Sequence, residues 1–214
     1  MKETITFGDV LLVPQYSTIT SRSQVDLSIE TPHFSLDCPI VSSPMDTVTG
    51  ADMAIAISRN GGLGVIHRYN TIKEQAEIIS LVKKSTDKVA AAIGVSGDFL
   101  ERAGAIVSEG ANVICVDVAH GHHVLMKKAL SELKSLFGDT VHLMAGNVAT
   151  LEGFNDLSDW GADSVRIGIG GGSICSTRIQ TGHGVPTLQS ILDCAKSDRE
   201  TLLIADGGIK YSGD

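Results

Sequence analysis

The sequence predicts an α/β fold, a (β/α)8 TIM barrel that stops after its seventh strand, with an open doubly wound sheet as the alternative. Three observations predict it. Seven short apolar runs rich in Val and Ile recur along the 214 residues. Stretches with helical spacing separate them, and polar residues gather where the runs end. No linker, low-complexity segment or charge block divides the chain, so residues 1–214 read as one catalytic-type barrel domain, incomplete at its C-terminus.

In chain order, residues 1–38 read as a hairpin-like N-terminal arm. The runs follow at Pro39–Met45, Leu63–Ile66, Val89–Val95, Val113–Val118, Val141–Ala145, Ser164–Ile169 and Leu202–Ala205. They are continuous rather than alternating, the pattern of parallel strands covered on both faces. Between them Ile72, Ala76, Ile79 and Val82 fall at helical spacing, as do Val124, Met126, Leu130, Leu133 and Phe137. Strand and helix therefore alternate as repeated βα units. The sequence reaches Ile209-Lys-Tyr-Ser-Gly-Asp214 where the helix after the seventh strand should begin. A parallel barrel without its last unit has unpaired strand edges, so a fragment is expected.

Composition narrows the partners. A hydrophobic content of 43% supports one sizeable core, and a net charge of −8 without any Lys/Arg run excludes a nucleic-acid footprint. No stretch is long enough to span a membrane. Cys38, Cys115, Cys175 and Cys194 form no CxxC pair, and no apolar leader opens the chain, which points to a reduced, cytoplasmic setting.

In a barrel of this kind the active site is built at the C-terminal ends of the strands. The first run ends in Ser43-Pro-Met-Asp46, the second in His67-Arg68, the fourth in Asp117-Val-Ala-His120 and the fifth in Gly146-Asn147. The sixth leads into Gly168-Ile-Gly-Gly-Gly-Ser-Ile-Cys175, and the seventh into Asp206-Gly-Gly208. Any one of these could simply cap a helix. Six together mark a site.

The glycine loop suits an anion or planar ligand held against bare backbone, with its amides as donors and its carbonyls free for a monovalent cation. A dinucleotide fingerprint would open directly into a helix, whereas here the helix is expected only after Pro186. Cys175 sits on that polar loop beside Thr177 and Arg178, while Cys115 lies inside a strand, so Cys175 reads as the reactive thiol and Thr177 as a proton relay. His120, His122 and His123 lack the further ligands of a metal site and read as helix-start residues.

Ser42-Ser-Pro-Met-Asp-Thr-Val-Thr49, Asp117-Val-Ala-His-Gly121, Gly146-Asn-Val-Ala-Thr150, Arg166 through Thr177 and Ala205-Asp-Gly-Gly-Ile209 together resemble the IMP dehydrogenase/GMP reductase family. The resemblance implies chemistry at C2 of a purine nucleotide through a covalent adduct on Cys175, with Thr177 in proton transfer. It implies substrate contacts at Ser43, Met45, Asn147, Arg166, Ser173, Asp206, Gly207 and Gly208, with Asp206 on the ribose and Arg166 and Asn147 toward the base. Asp117, Val118, Ala119, Gly168 and Gly170 would meet NAD or NADP, with Asp117 on the nicotinamide ribose. The carbonyls of Gly170, Gly172 and Cys175 would bind K+.

The resemblance also implies a cytoplasmic homotetramer whose partners are IMP, XMP or GMP. Two branches follow from it, IMP dehydrogenase (IMP, NAD+ and water to XMP and NADH) and GMP reductase (GMP and NADPH to IMP and ammonia). The second and third strands are joined by one helix, with no room for the CBS module many dehydrogenases insert, which favours the reductase. Ser43-Pro-Met45 and Asn60-Gly-Gly-Leu-Gly-Val-Ile-His67 resemble the dehydrogenase, and the dehydrogenase is the reading adopted. A non-catalytic nucleotide-binding remnant is a further alternative, because the family's eighth strand and mobile flap fall outside these residues. Gly171 departs from the family, standing where it usually has a proline.

Overall fold

A computed structural model describes residues 3–214. Its contacts group into two compact units, one of Leu12–Cys115 with Asp139–Val141, the other of the residues up to Leu11, Val116–Gly138 and His142–Asp214.

The first unit opens with a short antiparallel hairpin, β1 (Ile29–Glu30) and β2 (Ser35–Leu36). Thr31 shapes its turn, because the Thr31 hydroxyl accepts from the Phe34 amide at 2.9 Å and donates to the Phe34 carbonyl at 2.8 Å. The hairpin expected in the arm is thus confined to this segment, and Leu11, Leu12, Val13 and Tyr16 before it are exposed. Then follow β3 (Val41–Ser42), α1 (Ala51–Arg59), β4 (Leu63–Ile66), α2 (Ile72–Lys83), β5 (Ala90–Ile93), α3 (Phe99–Ser108) and the start of β6 (Val113–Asp117). Parallel pairing sets Val41 beside Leu63 and Val65 beside Ala90. The continuous apolar runs come out as predicted, since every residue of β4 and β5 is buried.

Helix α2 begins where Thr71 and Glu74 cap each other reciprocally, the Glu74 carboxylate accepting from the Thr71 amide at 2.9 Å and Thr71 Oγ1 from the Glu74 amide at 3.2 Å. Its inner face carries a polar residue, Gln75, with no solvent exposure. Gln75 donates to the carbonyls of Ala92 at 2.8 Å and His67 at 3.1 Å, and its own oxygen accepts from Arg102 at 2.9 Å. Arg102, 7% exposed, also reaches the Asn70 carbonyl and the Asp98 carboxylate. One side chain therefore ties α2 to β5, to the loop after β4 and to the buried guanidinium of α3.

The second unit holds the end of β6, α4 (Val124–Phe137), β7 (His142–Val148), α5 (Leu151–Asp159), β8 (Ser164–Ile167), α6 (Thr177–Thr181), α7 (Thr187–Cys194) and β9 (Leu202–Ala205). Met144 pairs with Ser164, and Ser164 through Ile167 pair with Leu202 through Ala205, all parallel. The β7–β8 register shifts between Gly146 and Val148. Unlike β4, β5 and β8, β9 is half-buried along its whole length.

The parallel strands follow one another in chain order from β3 to β9. An open doubly wound sheet reverses its strand order at a switch point, and this order never reverses. The fold is therefore the (β/α) barrel pattern, seven strands long. Helix α2 alone joins β4 to β5, so no module intervenes there. No helix among the described residues is long and apolar enough to cross a membrane.

Gln75→Leu keeps the volume of this buried side chain but strands the Ala92 carbonyl and one face of the Arg102 guanidinium. The expected loss is about 3 kcal/mol, read as a lower urea midpoint by circular dichroism. A stability equal to that of the native protein would show that water replaces the amide without cost.

Candidate active site

The C-terminal ends of the strands in the second unit converge on one guanidinium. Arg166 projects from β8, its side chain 9% exposed. Nη1 donates to Asp117 Oδ1, at the end of β6, at 2.5 Å, and Nη2 donates to Asp206 Oδ2, just past β9, at 2.8 Å. Asn147 on β7 donates from Nδ2 to the same Asp206 oxygen at 2.6 Å and to the Gly168 carbonyl at 2.8 Å. Four residues expected at different ligands therefore form one network. Arg166 and Asn147, expected toward the base region, make these bonds to carboxylates and backbone. Asp117 and Asp206 keep 18% and 25% of their side chains open, and a carboxylate accepts about four hydrogen bonds, so both retain capacity for a ligand.

Val118 and Ala119 continue from β6. Val118 exchanges backbone bonds with Gly146 and Asn147, at 3.0 and 2.9 Å, and Ala119 is exposed. Ser43 and Met45 lie in the other unit, in the turn after β3, where the buried Thr49 hydroxyl donates to the Ser43 carbonyl at 2.6 Å.

Cys175 is half-buried, its Sγ 3.2 Å from Thr177 Oγ1. The thiol donates in this contact; once ionised, the sulfur can accept the hydroxyl proton in return. The Thr177 hydroxyl, followed by the backbone of Thr177 and Gly170 and the charge of Arg178, holds the Cys175 thiol below its ordinary pKa, against a small opposing effect of burial. Cys194 is the opposite case, pushed up to about 11 by burial and by the charge of Asp193. Cys115 is fully buried.

The loop that carries it is closed by an antiparallel bridge between Ile169 and Val185. A short helix missed by sequence reasoning, α6, begins two residues after Cys175 and ends at Gly182 in the left-handed conformation. At five residues it carries too few periodic positions to register as a pattern, and Gly182 was its one signal. The glycines serve contacts within the chain. A Cβ at Gly170 would come within 2.9 Å of Arg178 Cγ, and one at Gly184 within 3.0 Å of the same atom, so the Arg178 stem lies in a slot between them. A Cβ at Gly171 would collide with Thr187 Oγ1. Thr187, the first residue of α7, is 5% exposed, and its hydroxyl finds no partner among the described residues. That hydroxyl fills the space a proline at position 171 would need.

A cavity of about 410 Å³ in the same unit is lined by Phe7, Gly171, Arg178, Thr187, Gly208 and Lys210 among others. Gly207 and Gly208 are half-buried and Ser173 is exposed. His123 caps α4 by accepting from the Leu125 amide at 3.2 Å, and His122 pairs with Asp156 at 2.8 Å. No group of His, Cys, Asp and Glu among the described residues could hold a metal ion.

A sequence model of the IMP dehydrogenase / GMP reductase domain matches residues 4–214. The inosine-5'-monophosphate dehydrogenase of Nitrosopumilus maritimus is 32% identical over 340 residues, which takes in the whole chain and 71% of that relative. The Aquifex aeolicus protein of the same name is 31% identical over 345 residues, again with the whole chain and 70% of the relative. That of Cryptosporidium parvum is 37% identical over 258 residues, with 98% of this chain and 63% of its own length. The chain thus spans roughly two thirds of the length of these curated relatives.

The collision at Gly171 sets a double-mutant test. Gly171→Ala should cost about 1–3 kcal/mol by overpacking against Thr187. In a Thr187→Ala background the Cβ meets only ordinary contacts, so most of that cost should vanish, a coupling of about 1 kcal/mol or more in thermal denaturation. Strictly additive effects would remove Thr187 as the cause.

Proposed function

Because the chain belongs to the IMP dehydrogenase / GMP reductase family, we propose that it is a purine-nucleotide oxidoreductase that converts IMP to XMP through a covalent adduct between Cys175 and C2 of the base. The observation that carries this reading is the lowered pKa of Cys175 against Thr177, on a loop fastened at both ends. The names of the relatives support the dehydrogenase branch over the reductase.

The chemistry runs on this chain's own groups. Cys175 releases its thiol proton to solvent, and the Thr177 hydroxyl then donates to Sγ in its place and stabilises the thiolate. The sulfur attacks C2, the C–S bond forms, and the hydrogen on C2 departs with its electron pair. NAD+, when bound, supplies the acceptor for that hydride. Water then adds to C2, the C–S bond breaks, the electron pair returns to sulfur and one proton is released, giving XMP. Asp206 would hold the nucleotide's ribose hydroxyls, with Ser173, Gly207 and Gly208 along the same substrate. Asp117 has room for the dinucleotide's ribose, with Val118, Ala119, Gly168 and Gly170 beside it. The Gly172 carbonyl accepts the Cys175 amide at 3.2 Å and keeps a second lone pair. K+ would be held there by the carbonyls of Gly170, Gly172 and Cys175, where it would stiffen the loop.

The test follows the nicotinamide absorption band. With IMP and NAD+ the absorbance should rise. A fall with GMP and NADPH would assign the reductase branch, and a nucleotide that raises the melting temperature without any absorbance change would assign a binding remnant. No response of either kind from the folded protein would end the proposal. Cys175→Ala should abolish the turnover by several orders of magnitude with little loss of stability. In the native protein iodoacetamide should modify Cys175 ahead of Cys38, Cys115 and Cys194. Because its pKa is lowered, the thiolate forms earlier as pH rises, and the midpoint of that reaction should lie below that of an ordinary thiol.

A further inference from the structure

We propose that Arg166 is a positioning residue that couples the two ligand positions, so that a ligand at Asp117 raises the affinity for a ligand at Asp206 and the reverse. The inference rests on the assignment of Asp117 to the dinucleotide and Asp206 to the nucleotide. What it adds is the link between them. The two carboxylates lie at the ends of β6 and β9, and Arg166 is bonded to both, at 2.5 and 2.8 Å.

The guanidinium is planar and its donors are fixed relative to one another. A ligand that donates hydrogen bonds to Asp206 shifts that carboxylate, and the fork transmits the shift to Asp117 as a rotation of one rigid group. Arg166 is nearly buried, so its charge is not screened by water, and it must keep both partners. Asn147 anchors Asp206 from a second direction, with its other bond to the Gly168 carbonyl. The first ligand therefore fixes a clamp whose ordering the second ligand no longer has to supply, which makes the coupling positive. Reciprocity is required thermodynamically: each ligand must change the other's affinity by the same factor.

XMP and NAD+ form an unreactive pair and allow the coupling to be measured in the native chain by titration calorimetry. NAD+ should bind about five- to tenfold tighter to XMP-saturated protein than to free protein, and XMP should gain the same factor from NAD+. Arg166→Lys replaces the rigid two-nitrogen fork with one rotatable ammonium, whose bonds to the two carboxylates are no longer fixed relative to one another. Its ratio should fall to about one. Asp117→Asn gives an independent reading if that variant does not fold: it should weaken XMP binding as well as NAD+ binding, because Arg166 links Asp117 to Asp206. A purely structural role for Arg166 would lower the melting temperature and leave the ratio unchanged. Tight binding of both ligands with a ratio of one in the native chain, or a ratio retained in Arg166→Lys, overturns the coupling alone. Absence of binding by either ligand overturns the proposed function and the coupling with it.

Discussion

One guanidinium, Arg166, is the constraint around which the second unit is arranged. It is nearly buried and bonded to carboxylates from two other strands. Taking a charge out of water is costly, and a single ion pair often fails to offset that cost. Here two carboxylates share it, and Asn147 supplies a further donor to Asp206. The arrangement holds only if β6, β7, β8 and β9 keep their register, since a slip of one residue in any parallel pair would turn its side chain to the other face. The polar residues at the strand ends thus depend on the apolar runs behind them. The same dependence gives the network its stiffness.

The cysteine loop shows a different economy. Its glycines leave room for the chain's own parts, the stem of Arg178 between Gly170 and Gly184 and the hydroxyl of Thr187 against Gly171. A loop held in this way presents Cys175 in one place, with Thr177 on the next turn close enough to stabilise the thiolate. Cys194, the buried last residue of α7, illustrates what the fold does to a thiol without that help, since burial drives its pKa upward. The four cysteines share a chemistry and differ only in surroundings.

In the first unit the comparable role falls to a neutral side chain. Gln75 is fully buried and satisfies groups from three separate segments. An amide does this without the desolvation cost of a charge, and it leaves Arg102 as the single buried cation of the group. The histidines after β6 also resolve into structure: His123 caps a helix and His122 pairs with Asp156.

Much of this was legible in the sequence, because strand and helix periodicity are local properties. Val113–Val118 or Leu202–Ala205 announces a buried strand without reference to anything else in the chain, and the alternation of such runs with helical stretches orders the strands. The polar residues at the ends, and a thiol outside any strand, are likewise positions along a line. What the line could not show is which of those residues meet. Asp117, Asn147, Arg166 and Asp206 are far apart in sequence, and only parallel pairing in register brings them within hydrogen-bonding distance. Thr187 could not be read as the reason for glycine at 171, since the contact between them exists only once α7 packs beneath the loop. Short α6 escaped for the same cause, its five residues being held by the bridge and the Arg178 slot rather than by any period of their own. Periodicity along the chain carries most of the elements and their order; which strand-end residues meet is left to the fold, because partners are set by distance in space and a local period holds no information about that.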